Sequence, residues 1–188
     1  MKETIRTFIA VRITADKKLL DLISELKKSL AAEEIRWIDS NNLHLTLRFL
    51  GETTQTQVAE ITKMLESISK QFQPFQIELK GLSVFKKKIR PRVLFVSIEN
   101  VLVLQQLAAE ILEMSKALGF KVEENTFNPH LTLGRIKFIQ NKTEFYSLVN
   151  KFSDTKFQQV FVSEVIFYQS ILGSEGPTYK PIKIVNFD

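Results

Sequence analysis

The sequence HLTL at His44–Leu47 returns unchanged at His130–Leu133, and the histidines that begin the two copies are the only two in the chain. With ordinary amino-acid usage, the chance that a second histidine is followed by the same three residues is on the order of one in a thousand or less. Each copy places a hydroxyl two residues after an imidazole. The repetition therefore indicates two matched sites rather than coincidence.

The elements around the two copies also repeat. Apolar periodicity predicts the order strand, helix, histidine-containing strand, helix, strand in residues 5–85 and again in residues 92–187. The spacing of 86 residues between the copies is too long for a solenoid. We expect an α+β fold with two pseudo-symmetric sheet-and-helix lobes, one from each repeat, around a central cleft. Because no low-complexity linker separates the halves, residues 1–188 are interpreted as a single bilobed domain.

Local signals predict where the elements begin and end. Asp16 is expected to cap a helix over 17–31, and Thr54 with Gln57 is expected to form a capping box for a helix ending near 72. Two further helices are predicted over 104–118 and 144–152. The predicted strands span 7–13, 42–50, 75–85, 92–98, 130–138, 160–172 and 179–187.

The composition is typical of a globular protein with a mild positive charge. Of 188 residues, 44% are hydrophobic and 25% are charged, and the formal net charge is +5. The absence of cysteine excludes disulfides, thiolate nucleophiles, zinc fingers and iron–sulfur clusters. Since neither a signal-peptide core nor an apolar run near 18 residues occurs, we expect a cytoplasmic protein without membrane contact.

Side chains alternate between the two faces of a strand, so each motif directs its residues two ways. His44 and Thr46 are expected to point one way and the leucines between them the other, and the same holds for His130 and Thr132. The leucines would then lie in the helix-covered core of each lobe. The imidazoles and hydroxyls would line one cleft between the lobes.

This arrangement suits the opening of a cyclic phosphodiester. The reaction needs a base that takes a proton from water and an acid that protonates the departing alkoxide on roughly the opposite side of phosphorus. Histidine serves in either role because its unperturbed pKa is about 6.5. Threonine hydroxyls can donate to the non-bridging oxygens, where charge builds in the transition state. The scheme requires no metal, and the identical motifs do not reveal which histidine is the acid.

Other interpretations of the histidines stay open. Gene duplication can preserve two structural histidines, although buried histidines need no threonine at the same offset. A metal site would need carboxylates to complete it, and neither His-x-His nor His-x-x-x-His spacing occurs. A non-catalytic RNA-binding module whose histidines contact phosphate is a further alternative.

The chain resembles the 2H phosphoesterase superfamily, and most of all its bacterial and archaeal RNA 2′,3′-cyclic phosphodiesterases, formerly called 2′-5′ RNA ligases. The resemblance spans essentially the whole chain. The two motifs at their separation are specific, and the other segments support them. The matching segments are Arg6–Ala10, Trp37, His44–Gly51, Pro91–Leu94, Pro129–Arg135, Tyr168–Leu172 and Gly176–Tyr179.

The resemblance implies metal-independent hydrolysis of terminal 2′,3′-cyclic phosphates of RNA to 2′-phosphomonoesters, without a cofactor. It implies that His44 is the proton donor, that His130 is the proton acceptor, and that Thr46 and Thr132 bind phosphate oxygens. RNA with a cyclic phosphate end is the implied partner, and no obligate protein partner is evident. Cleavage or ligation of 2′-5′-linked RNA and hydrolysis of small cyclic nucleotides are alternatives that use the same site.

Two arginines are candidate phosphate contacts. Arg135 matches an arginine of the family at the end of the second motif, but strict alternation places it on the face opposite His130. A bulge at Gly134 would turn it back. Arg48 lies on the His44 face by parity and is the alternative contact.

Two further features bear on RNA binding. Residues 86–92, KKKIRPR, are the densest basic run, which as a loop would either attract an RNA backbone or form a solvated hairpin tip. The chain has no Walker A motif, so no ATP site for ligation is visible. Several aromatic residues could stack on a terminal base: Phe8, Phe49, Phe85, Phe127 and Tyr168.

Overall fold

The computed structural model describes residues 3–121, 127–173 and 176–188, which form nine strands, four α-helices and one short 3-10 helix (Ser40–Asn42). Within this described part of the chain, no helix combines the length and apolar character needed to cross a membrane. The helices are α1 (Lys17–Ser29), α2 (Gln55–Ser69), α3 (Leu102–Ala117) and α4 (Lys142–Lys151). The strands are β1 (Thr4–Arg12), β2 (Glu34–Trp37), β3 (His44–Thr54), β4 (Phe75–Lys87), β5 (Arg90–Glu99), β6 (His130–Phe138), β7 (Lys156–Val162), β8 (Glu164–Gly173) and β9 (Gly176–Asn186).

The first two helices begin at the caps that the sequence predicts. The Asp16 side chain accepts a hydrogen bond of 2.9 Å from the Leu19 amide, which satisfies one of the free amides in the first turn of α1. Thr54 and Gln57 form the predicted capping box of α2. Both helices end slightly earlier than predicted.

The strands form two antiparallel sheets, one in each lobe. Sheet A has the order β3-β1-β8-β9, and sheet B has the order β2-β6-β5-β4-β7. The run β3-β1-β8-β9 corresponds to β6-β5-β4-β7, so each sheet contains one histidine strand beside the first strand of the same repeat. The expected α+β fold with two pseudo-symmetric lobes is confirmed.

The lobes exchange strands, which corrects the expectation that each repeat builds one lobe. β2 and β4 belong to the first repeat but lie in sheet B, where β2 pairs with β6 and β4 pairs with β5 and β7. β8 and β9 belong to the second repeat but complete sheet A, where β8 pairs with β1. Strand partners are selected by packing between residues distant in sequence, and local periodicity carries no information about that choice.

The predicted strands differ from the observed ones in two places, for different physical reasons. The predicted strand over 160–172 is two strands, because Ser163 separates β7 in sheet B from β8 in sheet A. Both strands are rich in buried apolar residues, so their sequences read as one continuous run. β2 was not predicted, since its four residues, EIRW, are too few to show a period.

The leucines of both motifs are buried, as predicted. They belong to one cluster of buried side chains with members in both sheets and all four helices. The other face of sheet A carries a smaller cluster made of Phe8, Ala10, Ile166 and Tyr168. Strand β1 therefore divides its alternate residues between the core and a second, aromatic face that points away from the core.

Candidate active site

A cavity of about 600 Å³ is lined by residues of both sheets and contains both motifs. His44 and Thr46 reach it from β3, and His130 and Thr132 reach it from β6. The structure thus brings the four side chains into one cleft, as their alternation along the strands predicts. The volume lies within the range of about 300–1,000 Å³ that is usual for small-molecule sites.

Each imidazole is oriented by the backbone two residues before it. Nδ1 of His44 lies 2.6 Å from the Asn42 carbonyl oxygen, and Nδ1 of His130 lies 2.7 Å from that of Asn128. Because a carbonyl oxygen only accepts, Nδ1 donates in both contacts and carries a proton. Nε2 is then the nitrogen available to a substrate, as an acceptor in the neutral ring and as a donor in the imidazolium.

Aromatic rings hold both imidazoles in place. The His44 ring lies 5.1 Å from the ring of Phe8 and 5.0 Å from that of Tyr179, measured between centroids. The His130 ring lies 4.8 Å from Phe85 and 5.4 Å from the ring of Phe95. These contacts restrict rotation of each ring, so that the backbone hydrogen bond and the packing together select one orientation.

Burial is the main cause that lowers the pKa of both imidazoles from the usual value. The hydrogen bonds to the backbone carbonyls oppose this effect, because they favour the protonated ring. The charge of Arg135 lowers the pKa of both rings, and the charge of His130 also lowers that of His44. Both rings are therefore biased toward the neutral form in the free protein.

The other polar groups of the cleft are hydroxyls and guanidiniums. No residue in the described part of the chain forms a hydrogen bond with the side chain of Thr46 or Thr132, so both hydroxyls can serve a bound anion. Among the described residues, no group of three or more histidine, cysteine, aspartate or glutamate side chains is placed to hold a metal ion.

A bulge in β6 turns Arg135 into the cleft. The register with β5 skips Leu133, one residue before the position at which the sequence analysis expects a bulge. Arg135 then pairs with Val93, and Thr132 pairs with Phe95, two residues further along β5. Arg135 therefore shares a face with Thr132, and it lines the cavity. The prediction that a bulge returns Arg135 to the histidine face is confirmed.

A matching bulge in β3 turns Arg48 away from that face. The register with β1 skips Leu47, after which Arg48 pairs with Ile9, a fully buried core residue. Arg48 is only 7% exposed, and its Nη2 donates to the carbonyl oxygen of Lys121. The prediction that Arg48 shares the face of His44 is therefore wrong, because the bulge shifts the alternation by one residue. Arg48 still borders the cavity.

The two bulges make the fifth residue after each histidine face the cleft. In β3 this residue is Phe49, which pairs with Phe8, and in β6 it is Arg135. Phe49 is 49% exposed and lines the cavity. Equivalent positions thus carry an aromatic ring in one lobe and a cation in the other, so that the two walls of a pseudo-symmetric cleft differ chemically.

The other aromatic candidates are dispersed around the cleft. Phe127 lines the cavity. Phe85 packs against His130, and Tyr168 stacks on Phe8 at 5.1 Å. Phe8 and Tyr168 are at most 7% exposed, so they support the wall and present little ring surface of their own. Phe49 is the candidate with the most accessible ring next to the motifs.

The basic run forms the tip of the β4–β5 hairpin, with its turn at Lys88 and Ile89. Lys86 Nζ lies 4.8 Å from the centre of the Tyr146 ring. No basic residue of the run forms an ion pair with a carboxylate of residues 3–121, 127–173 or 176–188. Phe85, which contacts His130, directly precedes the run. The hairpin therefore leads from the cleft to a tip whose basic residues form no ion pair with a described carboxylate.

The residues that orient the imidazoles were not among those predicted from the sequence. Asn42 and Asn128 each stand two residues before a histidine, so the repeat is in fact Asn-x-His-Leu-Thr-Leu. The repeated asparagine is the sequence signal that could have indicated a structural role two residues before each histidine. Tyr179 was noted only as part of a matching segment, although its ring packs against that of His44.

Comparisons with known proteins find relatives similar in sequence and a solved structure with the same fold. A curated protein of Aeropyrum pernix named RNA 2′,3′-cyclic phosphodiesterase is 35% identical over 163 residues, covering 85% of this chain and 92% of its own. A Thermotoga maritima protein of the same name is 34% identical over 188 residues, covering 97% of this chain and 96% of its own. The crystal structure of a Thermus thermophilus protein matches the fold with a TM-score of 0.79 at 21% identity, covering 97% of this chain and 98% of that one.

The model of one family matches both repeats. The LigT-like phosphoesterase model covers residues 11–95 and 99–179, which include both histidine motifs and all or part of every strand that carries the cleft. The relatives above match over nearly their whole length as well. The chain therefore belongs to the LigT-like phosphoesterase family.

Proposed function

We propose that this protein hydrolyses terminal 2′,3′-cyclic phosphates of RNA to 2′-phosphomonoesters, with His44 as the acid and His130 as the base. The observation that carries the proposal is the placement of two imidazoles, each with Nε2 available, on different sheets of one cleft. The names of the relatives from Aeropyrum pernix and Thermotoga maritima support this substrate class.

In the proposed reaction, neutral His130 takes a proton from water as the water oxygen bonds to phosphorus. The bond between phosphorus and O3′ breaks, and protonated His44 delivers its proton to O3′. The phosphate stays on O2′ and the sugar regains a 3′-hydroxyl. Arg135, Thr46 and Thr132 would donate to the non-bridging oxygens, where negative charge grows in the transition state. The residues themselves supply every proton and donor in this scheme, which needs no metal.

RNA ends are favoured over small cyclic nucleotides by the charge around the cleft. The β4–β5 hairpin carries a run of basic residues with no carboxylate partner in the described parts of the chain. Such a patch attracts a polyanion regardless of sequence. A free cyclic nucleotide has a single charge and gains little from it. Ring opening by an RNA 5′-hydroxyl instead of water would use the same groups and yield a 2′-5′ linkage.

A short RNA ending in a 2′,3′-cyclic phosphate tests this function directly. With EDTA present, the wild-type protein is expected to open the ring, because the imidazoles supply both proton transfers. The product should carry only a 2′-phosphate, since O3′ is the departing oxygen, and phosphorus NMR distinguishes it from the 3′ isomer. Loss of turnover in EDTA or a 3′-phosphate product would contradict the mechanism. If the wild-type protein binds the RNA without opening it, the proposed substrate is wrong, and small cyclic nucleotides or a non-catalytic binding role are favoured instead.

The pH dependence of the reaction should reflect the lowered pKa values of both histidines. One ring must be protonated and the other neutral, so kcat/KM, which reports the free protein, should follow a bell-shaped curve. Because the pKa of each ring lies below its usual 6.5, the maximum is expected below pH 6.5. Above it, the acid is deprotonated and kcat/KM should fall about tenfold per pH unit.

Bound substrate should shift the pH–rate profile toward higher pH. A bound phosphate anion favours the imidazolium forms, which raises both pKa values and displaces the kcat profile to higher pH than the kcat/KM profile. Steady-state kinetics between about pH 4.5 and 8.5 at constant ionic strength measure both curves. A flat profile between roughly pH 5 and 8 would be incompatible with paired imidazole catalysis.

A further inference from the structure

Arg6 is a second guanidinium in the cleft that the reaction scheme does not use. It lies on β1, two residues before Phe8 and on the same face of that strand, and it lines the cavity that contains both histidines. The His44 ring on β3 contacts Phe8, so the Phe8 side chain lies between Arg6 and the His44 imidazole. Two residues of a strand span about 7 Å, which is the separation of the Arg6 and Phe8 backbones along β1.

The charge of Arg6 has no acidic partner in the described part of the chain. Its cross-strand neighbour in β3 is Glu52, which instead accepts a hydrogen bond of 2.7 Å from the Thr4 hydroxyl. No ion pair joins Arg6 to any carboxylate among residues 3–121, 127–173 and 176–188, and the same is true of Arg135. One cavity therefore holds two guanidiniums from different lobes that form no ion pair with a described carboxylate, and concentrated positive charge in a cleft favours anions.

Hydroxyl groups lie beside Arg6 at the rim. Thr7 pairs with Gln169, so the antiparallel register places Ser170 opposite Arg6, and Ser170 pairs in turn with Tyr179. Ser170 and Tyr179 also line the cavity. Burial raises the pKa of the Tyr179 phenol, while the charges of Arg135, Arg6 and Arg36 lower it in part.

The cleft has room for more than a phosphate group. The cavity, of about 600 Å³, extends past the motifs to the exposed ring of Phe49. Along β3, Phe49 lies between Thr46 and Glu52, the residue that pairs with Arg6 of β1. A terminal nucleotide with its cyclic phosphate at the histidines and its base at Phe49 would direct its 5′ oxygen along this wall. The first group bonded to that oxygen in RNA is the next phosphodiester.

We propose that Arg6, assisted by the hydroxyls of Ser170 and Tyr179, binds the phosphodiester immediately upstream of the terminal cyclic phosphate. A guanidinium suits this task because its planar set of donors matches two phosphate oxygens. The protein then selects RNA ends of two or more nucleotides over free cyclic mononucleotides. This inference rests on the proposed function, since it takes the cyclic phosphate to lie at the histidines.

Three substrates that differ by one group at a time test the subsite. They are uridine 2′,3′-cyclic phosphate, the same compound with a 5′-phosphate, and the dinucleotide UpU ending in a 2′,3′-cyclic phosphate. Wild-type kcat/KM is expected to be at least about tenfold higher for the two substrates with a 5′-phosphoryl group, the magnitude expected for a charge-assisted hydrogen bond. Arg6→Ala should remove most of that advantage. Its kcat/KM for the substrate without a 5′-phosphoryl group should stay within about twofold of the wild-type value.

Two further variants test whether the effect is specific to the guanidinium of Arg6. Lys180→Ala removes the same charge from β9 beside Tyr179, but Lys180 does not line the cavity, so its kinetics with all three substrates should match wild type. Arg6→Lys keeps the charge but loses the paired donors, and it should recover only part of the advantage. Melting temperatures should show that all variants are folded.

The outcomes separate this proposal from the proposed function. Equal loss on all three substrates would assign Arg6 to catalysis or folding, and no loss on any would show that the subsite lies elsewhere; either result overturns the proposal. If the wild-type protein hydrolyses none of them, the proposed function fails by itself. Calorimetric titration with UpU 2′-phosphate and with uridine 2′-phosphate then tests the subsite by binding. The proposal stands only if Arg6→Ala weakens binding of the dinucleotide and leaves binding of the mononucleotide unchanged.

Discussion

Replacing His44 or His130 with alanine is expected to lower kcat by about 10²- to 10⁴-fold, because in the proposed mechanism each imidazole transfers one of the two protons of the reaction. Single-turnover assays with a cyclic-phosphate RNA at the pH of maximal wild-type activity measure the loss. Since both rings act in one concerted step, the double variant should lose far less than the product of the two single effects. Retention of a tenth or more of wild-type kcat in either variant would refute the two-histidine mechanism.

A modified leaving group distinguishes the two histidines. When sulfur replaces the 3′ oxygen of the cyclic phosphate, the departing thiolate needs no protonation, so the loss of a general acid matters little. His44→Ala should therefore regain much of its activity on the sulfur substrate, while His130→Ala should stay slow. The reverse pattern would exchange the roles and leave the paired mechanism intact.

Structural damage must be separated from the loss of a proton carrier. The His44 ring packs against Phe8 and Tyr179, and the His130 ring packs against Phe85 and Phe95, so alanine removes packing as well as chemistry. Glutamine variants retain more of the side-chain volume and still cannot transfer the proton. Equal kinetic losses in the alanine and glutamine variants, with melting temperatures close to wild type for glutamine, would assign the effect to catalysis.

The substitution Arg135→Ala is expected to lower kcat by about 10²- to 10³-fold, the range seen when a donor to a developing oxyanion is removed. Arg135 lines the cavity, and its charge influences the pKa of both histidines. Its removal should also raise the pKa of both rings, which would shift the kcat/KM profile toward higher pH. Lysine should restore the charge but not the paired donors, and so rescue only partly. Lys137→Ala, which removes an exposed charge from the same strand outside the cavity, is the matched control.

Arg48→Ala should give the opposite result, since Arg48 donates to the Lys121 carbonyl instead of facing the histidines. Loss of this hydrogen bond is expected to reduce the free energy of unfolding by about 1–3 kcal/mol. Thermal and urea denaturation measure that change. A kcat loss for Arg48→Ala equal to that for Arg135→Ala, without loss of stability, would restore Arg48 as a phosphate contact.

The two arginines show where sequence reasoning holds and where it ends. Alternation along a strand correctly directs His44, Thr46, His130 and Thr132 toward one cleft, because no bulge interrupts the first three residues of either motif. Each of these two bulges follows at the next leucine and reverses the parity of the residues just beyond it. The sequence predicted one of these bulges, since a glycine stands beside it. The other is next to Arg48, an ordinary strand residue.

The chemistry and the local elements of this protein follow from short stretches of its sequence. The repeated motif predicted both imidazoles and both hydroxyls, and the caps at Asp16 and Thr54 predicted the starts of two helices, because these signals depend on residues close together in the chain. The crossing of β4, β8 and β9 to the other repeat's sheet became visible only in the folded chain. The same is true of the meeting of Arg6 and Arg135 in one cavity. The physical reason is that strand pairing and bulges are selected by packing between distant segments, which no local period encodes.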